Sequence, residues 1–336
     1  MAPPDYNFEH FNVTFPAPYV AQVEINRPKK LNAFYEPMWM NLGAIFRKLS
    51  HDPDVRAIIL TGAGDRAFTS GLDVQAASQG GALSSSDQVA DAARKATQLR
   101  RHIQEFQDEI SAVERCEKPV IAVLHGISYG LAIDMTTCCD IRICARDTRF
   151  AVREVEIGLA ADIGTLSRLP HANVPMSWVK EVCLTAREFT AEEALRVGFV
   201  SSVHESKGGA LDRALELAKT LASKSPVAVQ GTKEVLNFSR DHTVADGKFD
   251  LFAYDYVRRL TGYSQVSTIS RFGMRACCRR RTCRMRCWLG SKSGKRPSRS
   301  FKIELRCALH GLDRASHRLL GKRVTALEIA CFSPYV

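Results

Sequence analysis

Residues 19–28, YVAQVEINRP, decide the fold class once they are set beside the two segments that follow. Ala21, Val23 and Ile25 alternate with Gln22 and Glu24, the period-two pattern of a strand, and Pro28 ends it because proline has no N–H for a ladder. In residues 36–50, EPMWMNLGAIFRKLS, the apolar Met38, Leu42, Ile45, Phe46 and Leu49 recur at helical spacing. Residues 55–64, VRAIILTGAG, form an apolar run closed by glycines. The order is strand, helix, strand. It returns as KPVIAVLHG (118–126, strand), GLAIDMTTCCD (130–140, helix) and IRICARDTRFAV (141–152, strand). Repeated units of this kind predict an α/β fold.

Other segments fit around this frame. ASQGGALSSSD (77–87) is a Gly/Ser-rich loop, and residues 87–116, free of Pro and Gly, read as one long helix with Ser86 or Asp87 as its N-cap. Helical signals dominate residues 177–236, where TAEEALRVGFV carries a capping box of Thr190 and Glu193 and is closed by Gly198. Gly62 and Gly64 make a GxG after a strand, but the third glycine of a dinucleotide fingerprint is missing.

The formal charge of +11 is unevenly distributed. Residues 1–270 hold 30 Lys and Arg against 33 Asp and Glu, a net of −3, whereas residues 271–336 hold 17 against 3, a net of +14. Nucleic-acid binding is therefore not a property expected of the main body, and the basic tail has too few aromatics for stacking on bases. No run of about 18 uncharged apolar residues suggests a membrane span, and the N-terminal MAPPDYNFEH lacks a signal-peptide pattern, which predicts an intracellular protein. Cys116, Cys138, Cys139, Cys144 and Cys183 lie in apolar segments and read as small core hydrophobes. Cys277, Cys278, Cys283, Cys287, Cys307 and Cys331 lie among arginines without paired CxxC spacing, so no metal site is expected.

Residues 150–170, FAVREVEIGLAADIGTLSRLP, place Glu154, Glu156 and Asp162 among apolar residues, where an ionised carboxylate is costly. Asp134 stands 20 residues before Glu154, and Asp162 stands 8 after it. Carboxyls in apolar pockets acquire raised pKa values suited to proton transfer. In a strand Glu154 and Glu156 would face the same way, so the residues alone do not choose between them. Asp134, taken alone, reads as a solvated or capping helix residue. His125, Asp140, Arg142 and Arg153 read as structural, the last three in ion pairs between elements.

Together INRPKKLNAF, LTGAGDRAFTSGLDV, KPVIAVLHG, CDIRIC, FAVREVEIGLAADIGTLSRLP, EEALRVGFVSSV and SKSPVAVQGTK resemble the enoyl-CoA hydratase/isomerase (crotonase) superfamily, and within it the dienoyl-CoA isomerases. The resemblance covers about residues 8–242. It implies a crotonase-like spiral of repeated ββα units over residues 1–200 and a helical region over 201–245. It also implies an acyl-CoA substrate, no cofactor beyond the CoA of that substrate, a homotrimer or hexamer, and a peroxisomal or mitochondrial location, although no targeting signal is visible. The main-chain N–H groups of Leu72 and Leu131, at two strand-to-helix turns, are the implied oxyanion hole; relatives commonly have glycine where Leu131 stands. Glu154 is the implied base at C2 of a 3,5-dienoyl thioester, Asp162 the acid at C6, and Asp134 a neighbour that sets their charge. Hydratases have Glu at both the 134 and 154 positions and usually a small residue at the third, so Asp162 favours the isomerase; hydration is the alternative.

The resemblance ends near Asp246. Residues 246–336, with RACCRRRTCRMRC and GSKSGKRPSRS, change abruptly in charge and cysteine use. Three explanations compete, a genuine basic extension able to bind RNA or an acidic partner, a poorly ordered tail, and sequence from outside the ancestral reading frame, and the abrupt change favours the last.

Overall fold

The computed structural model describes residues 6–76, 91–244 and 246. It contains two sheets assembled in step. β1 (Phe11–Ala17) and β2 (Val20–Ile25) form an antiparallel hairpin, after which β3 (Ala57–Gly62), β5 (Val120–Leu124), β7 (Ile141–Ala145) and β10 (Ser202–His204) add in parallel to complete a six-stranded sheet. The second sheet has the order β4 (Ala67–Thr69), β6 (Ile127–Tyr129), β8 (Arg149–Ala151) and β9 (Phe189–Thr190), of which the first three are parallel. Each turn of the chain thus gives one strand to the large sheet and the next to the small one. This is the expected α/β spiral.

The long strand expected over residues 141–152 is two. Thr148 turns the chain by donating its hydroxyl to the Ala145 carbonyl at 2.6 Å, so β7 joins the large sheet and β8 the small one. A polar Arg146–Asp147–Thr148 run inside an apolar segment is the sign of that turn.

Helices cover both faces of the large sheet. α1 (Glu36–His51) buries its Met38, Leu42, Ile45, Phe46 and Leu49 stripe completely; each such side chain contributes about 1.5–3 kcal/mol, an upper figure because unfolded chains already hide some surface. α2 (Ala92–Arg115) begins at Asp91, whose side chain accepts from the Arg94 N–H. Asp91 therefore caps the described helix, while Ser86 and Asp87 lie outside the described residues. α3 (Leu131–Thr137) and α4 (Thr165–Arg168) are short, and α5 (Met176–Thr185) and α6 (Ala191–Val197) follow. α7 (Lys207–Ala222) presents Ala210, Ala214, Ala218 and Ala222 to the outer face of the large sheet, where Ile59, Ile121, Val123 and Ile143 meet it. Neighbours such as Ile58, Leu60, Val120 and Leu124 point the other way into the main core, as expected of parallel strands buried on both faces. α8 (Pro226–Phe238) comes last. The region read as helical from 177 onward thus also holds β9 and β10.

Among the local expectations, the ion pairs of Asp140 and Arg153 hold, while the capping box and Arg142 depart from them. Thr190 does cap α6, accepting from the Glu193 N–H, but the Glu193 carboxylate does not close the box: it accepts from Trp178 Nε1 and Arg187. Asp140 pairs with Lys233 at 2.8 Å and Arg153 with Glu156 and Glu188. Arg142 instead donates to the carbonyls of Phe199, Thr136 and Cys139, satisfying the C-terminal end of α3. The five cysteines up to Cys183 are free and buried, and the later six lie outside the described residues. Among the described residues, no helix is long and apolar enough to cross a membrane.

Candidate active site

Three adjacent parallel strands, β4, β6 and β8, end on the same side of the small sheet, and each end leads into part of one cavity of about 900 Å³. Crevices beyond the carboxyl ends of parallel strands are where open α/β sheets hold ligands.

After β4 the chain passes Gly71, at φ +96°, and after β6 it passes Gly130, at φ +54°. These are conformations that side chains resist. The two glycines also face each other: a Cβ on Gly71 would stand 3.7 Å from Gly130 Cα and 3.6 Å from the Leu131 nitrogen. Leu72 and Leu131 follow them. Leu131 is the first residue of α3, so its N–H has no intrahelical acceptor. Leu72 is bridged to Phe34 through its neighbours, Phe34 N–H donating to the Gly71 carbonyl and Asp73 N–H to Phe34. Among the described residues neither N–H of Leu72 or Leu131 has a hydrogen-bond acceptor, and both residues line the cavity.

The loop before α1 braces this turn. Asn32, fully buried at φ +55°, accepts from the Arg27 N–H and donates through Nδ2 to the carbonyls of Ala63 and Ala67. Its own carbonyl accepts from Thr69 Oγ1, and the Leu31 carbonyl accepts from the Ser70 N–H. Arg27 closes the loop on Asp73 at 2.7 Å, and that contact is a main reason the Asp73 carboxyl lies below its ordinary range despite the opposing effect of burial. Sequence reading gave Asn32 no role of its own. Its signal was an asparagine, one of the few residues that tolerates a left-handed backbone.

The structure brings Asp134, Glu154 and Asp162 to the cavity wall. Asp134, one turn into α3 and 1% exposed, accepts from the Thr165 N–H at 2.6 Å. Burial pushes its carboxyl up to about 6 against the pull of that hydrogen bond and of Arg168. Glu154 opens a 3-10 turn, Glu154–Ile157, rather than sitting in a strand. The turn aims Glu154 and Glu156 differently. Glu156 also borders the cavity but is exposed and pairs with Arg153 at 2.6 Å, whereas Glu154 Oε2 is buried with no hydrogen-bond partner among the described residues. Burial, then the negative charges of Asp134 and Asp162, raise Glu154 to about 7. A Cβ on Gly130 would lie 3.1 Å from Glu154 Oε1, which puts this carboxyl against the turn that presents Leu131. Asp162 is exposed on the described chain and faces the cavity from the segment before α4.

The rest of the wall is largely apolar, with Met40, Leu99, Ile103 and the stacked pair Trp39 and Phe106, whose rings lie 4.0 Å apart. An extended hydrocarbon chain fits such a surface. His125 lies outside it: buried, its Nε2 donates to the Gly64 carbonyl, and burial with nearby Lys207 lowers its pKa to about 4, so the ring is neutral. The Gly62 and Gly64 carbonyls also accept from Lys207 Nζ, so this GxG turn serves as a structural acceptor. Among the described residues, no group of three or more His, Cys, Asp or Glu side chains is arranged to hold a metal ion.

Comparison with known proteins agrees with this geometry. The chain is 45% identical over 243 residues, covering 72% of it and 73% of the relative, to the human mitochondrial delta(3,5)-delta(2,4)-dienoyl-CoA isomerase. It is 42% identical over 223 residues to the peroxisomal enzyme of the same name from Arabidopsis thaliana, with 66% and 79% covered. A short-chain-enoyl-CoA hydratase from Clostridium acetobutylicum is 33% identical over 218 residues, with 65% and 77% covered. Among solved structures, an enoyl-CoA hydratase from Bacillus anthracis superposes with a TM-score of 0.64 at 25% identity, covering 82% of this chain and 98% of the other. DspI of Pseudomonas aeruginosa gives 0.65 at 26%, with 83% and 98% covered. Residues 17–251 match the family model described as enoyl-CoA hydratase/isomerase; with the paired glycine turns and the carboxylates beside them, the chain belongs to that family.

Proposed function

We propose that this protein is a dienoyl-CoA isomerase, converting a 3,5-dienoyl-CoA to the 2,4-dienoyl form in fatty-acid β-oxidation. The observation that carries this reading is the third carboxyl: Asp162 faces the same cavity as Glu154 and Asp134. A hydration needs groups around one water, whereas this isomerisation must take a proton at C2 and return one four carbons away.

The thioester carbonyl is placed between the N–H groups of Leu72 and Leu131, where enolate charge develops in a largely apolar, low-dielectric surround. Glu154, raised to about 7, is substantially ionised near neutral pH and takes the C2 proton. The electron pair of the broken C–H bond forms C2=C3, the C3=C4 pair moves to C4=C5, and the C5=C6 pair accepts a proton from Asp162 at C6. Glu154 has gained one proton and Asp162 has lost one, so exchange with solvent or between them resets the site. Asp134 keeps negative charge near Glu154 and tunes its basicity. No cofactor other than the CoA of the substrate is invoked.

Assembly as a homotrimer or hexamer belongs to the same proposal, supported by the exposed apolar side chains of Ile157, Leu166 and Met176. A mitochondrial or peroxisomal location rests on the human and Arabidopsis relatives. The decisive assay supplies a 3,5-dienoyl-CoA and follows absorbance of the conjugated 2,4-dienoyl product. The wild type is expected to form it and Asp162→Ala to lose at least about a hundredfold in kcat. Hydration of a 2-enoyl-CoA by the wild type, without isomerisation, would replace this reading with a hydratase.

A further inference from the structure

We infer that Gln107, on α2, is a positioning residue for Asp162, and that it acts within a polar stripe that fixes the acid end of the site. The inference rests on the reading of Asp162 as proton donor at C6.

The Asp162 side chain is exposed, and among the described residues its carboxylate accepts no hydrogen bond. Packing therefore does not hold it, and its location depends on where the main chain is tied. Gln107 Nε2 donates to the Asp162 carbonyl at 2.8 Å. One turn further along α2, Ser111 accepts from Arg168 Nη2 at 2.9 Å, and Glu114 takes Arg168 Nε and Nη2 at 3.1 and 2.9 Å. Gln107, Ser111 and Glu114 stand at i, i+4 and i+7, a single face of the helix. That face grips both ends of the segment from Asp162 to Arg168. Between the ends lies Thr165, whose N–H holds Asp134.

The same helix supplies Leu99, Ile103 and Phe106 to the cavity. α2 thus sets the apolar wall and the distal acid from one rigid body, with Gln107 as the tie nearest the acid. Because the reacting carbons are four apart, an error in the Asp162 position bears chiefly on the second proton transfer; its charge is a lesser influence on Glu154 than burial and Asp134. Errors of about 1 Å in such placements can reduce rates by roughly a hundredfold.

The test compares Gln107→Met, which keeps length and loses the donor, with Gln104→Met, an exposed neighbour on α2 that among the described residues makes no hydrogen bond to the segment. Each is assayed with a 3,5-dienoyl-CoA in deuterated water, measuring product formation and deuterium entry at C2 of recovered substrate. Gln107→Met is expected to lower kcat by roughly tenfold or more, with KM within about twofold and C2 exchange as in the wild type. The ratio of exchange to turnover then rises, a change that general loss of folded protein does not produce. Gln104→Met is expected to match the wild type. Wild-type turnover in Gln107→Met, or exchange and turnover falling together, overturns the inference. Asp162→Asn separates the two levels: if it retains wild-type turnover, the reading of Asp162 fails; if it loses turnover and keeps exchange, only the Gln107 result judges the clamp.

Discussion

At the scale of single residues, the proposed reaction relies on N–H groups as much as on side chains. Leu131 allows that to be tested cleanly, because it is the first residue of α3, the helical position where proline is best tolerated. Leu131→Pro removes one N–H and no intrahelical bond. The expected outcome is a fall in kcat of roughly 10²- to 10³-fold, with a thermal unfolding midpoint close to that of the wild type. A protein that melts far earlier would mean that the turn, rather than the hole, was damaged. Glu154 and Glu156 illustrate how far such detail can be read in advance. Both carboxyls were visible and both border the cavity, but the difference between them depended on a 3-10 turn that buries one and leaves the other exposed and paired with Arg153. The local signal is Gly158, which closes the turn at φ +75°, and period-two reasoning does not register it.

At the scale of elements, the loop before α1 acts as a bracket for the end of β4. Asn32→Ala removes three side-chain hydrogen bonds, leaves the buried carbonyls of Ala63 and Ala67 without that donor, and puts an alanine at φ +55°. The expected loss, by urea denaturation, is about 3 kcal/mol, with reduced kcat because Leu72 follows the bracketed strand. The elements themselves were largely legible: the stripe of α1 and the apolar runs of β3 and β5 declare themselves through periodicity, which local sequence controls. The division of residues 141–152 between two sheets did not, because a three-residue polar interruption acquires its meaning only when each half finds a different partner. The stripe of Gln107, Ser111 and Glu114 was equally silent, since nothing in α2 identifies the segment it grips.

For the whole molecule, two buried carboxyls make stability depend on pH. Unfolded, Asp134 and Glu154 release their protons near 3.8 and 4.5; folded, they hold them up to about 6 and about 7. Between these limits the folded chain binds more protons, so the contribution of this pair to stability falls as pH rises from about 4 to about 7. Asp134→Asn should therefore unfold at higher denaturant at pH 8, by about 1–3 kcal/mol, with the gain fading toward pH 4. The same change removes a negative charge beside Glu154 and should move the acid limb of kcat/KM to lower pH. If the limb does not move, Glu154 is not the base. The ends of β4, β6 and β8 have a different consequence. On the proposed reading the carbonyl is held by main chain and no side chain specifies that half of the chemistry; what separates isomerase from hydratase is then Asp134 and a short segment running from Glu154 to Asp162. Exchanging that segment together with residue 134 should convert one activity into another on the same scaffold, which makes the two a natural cassette for redesign.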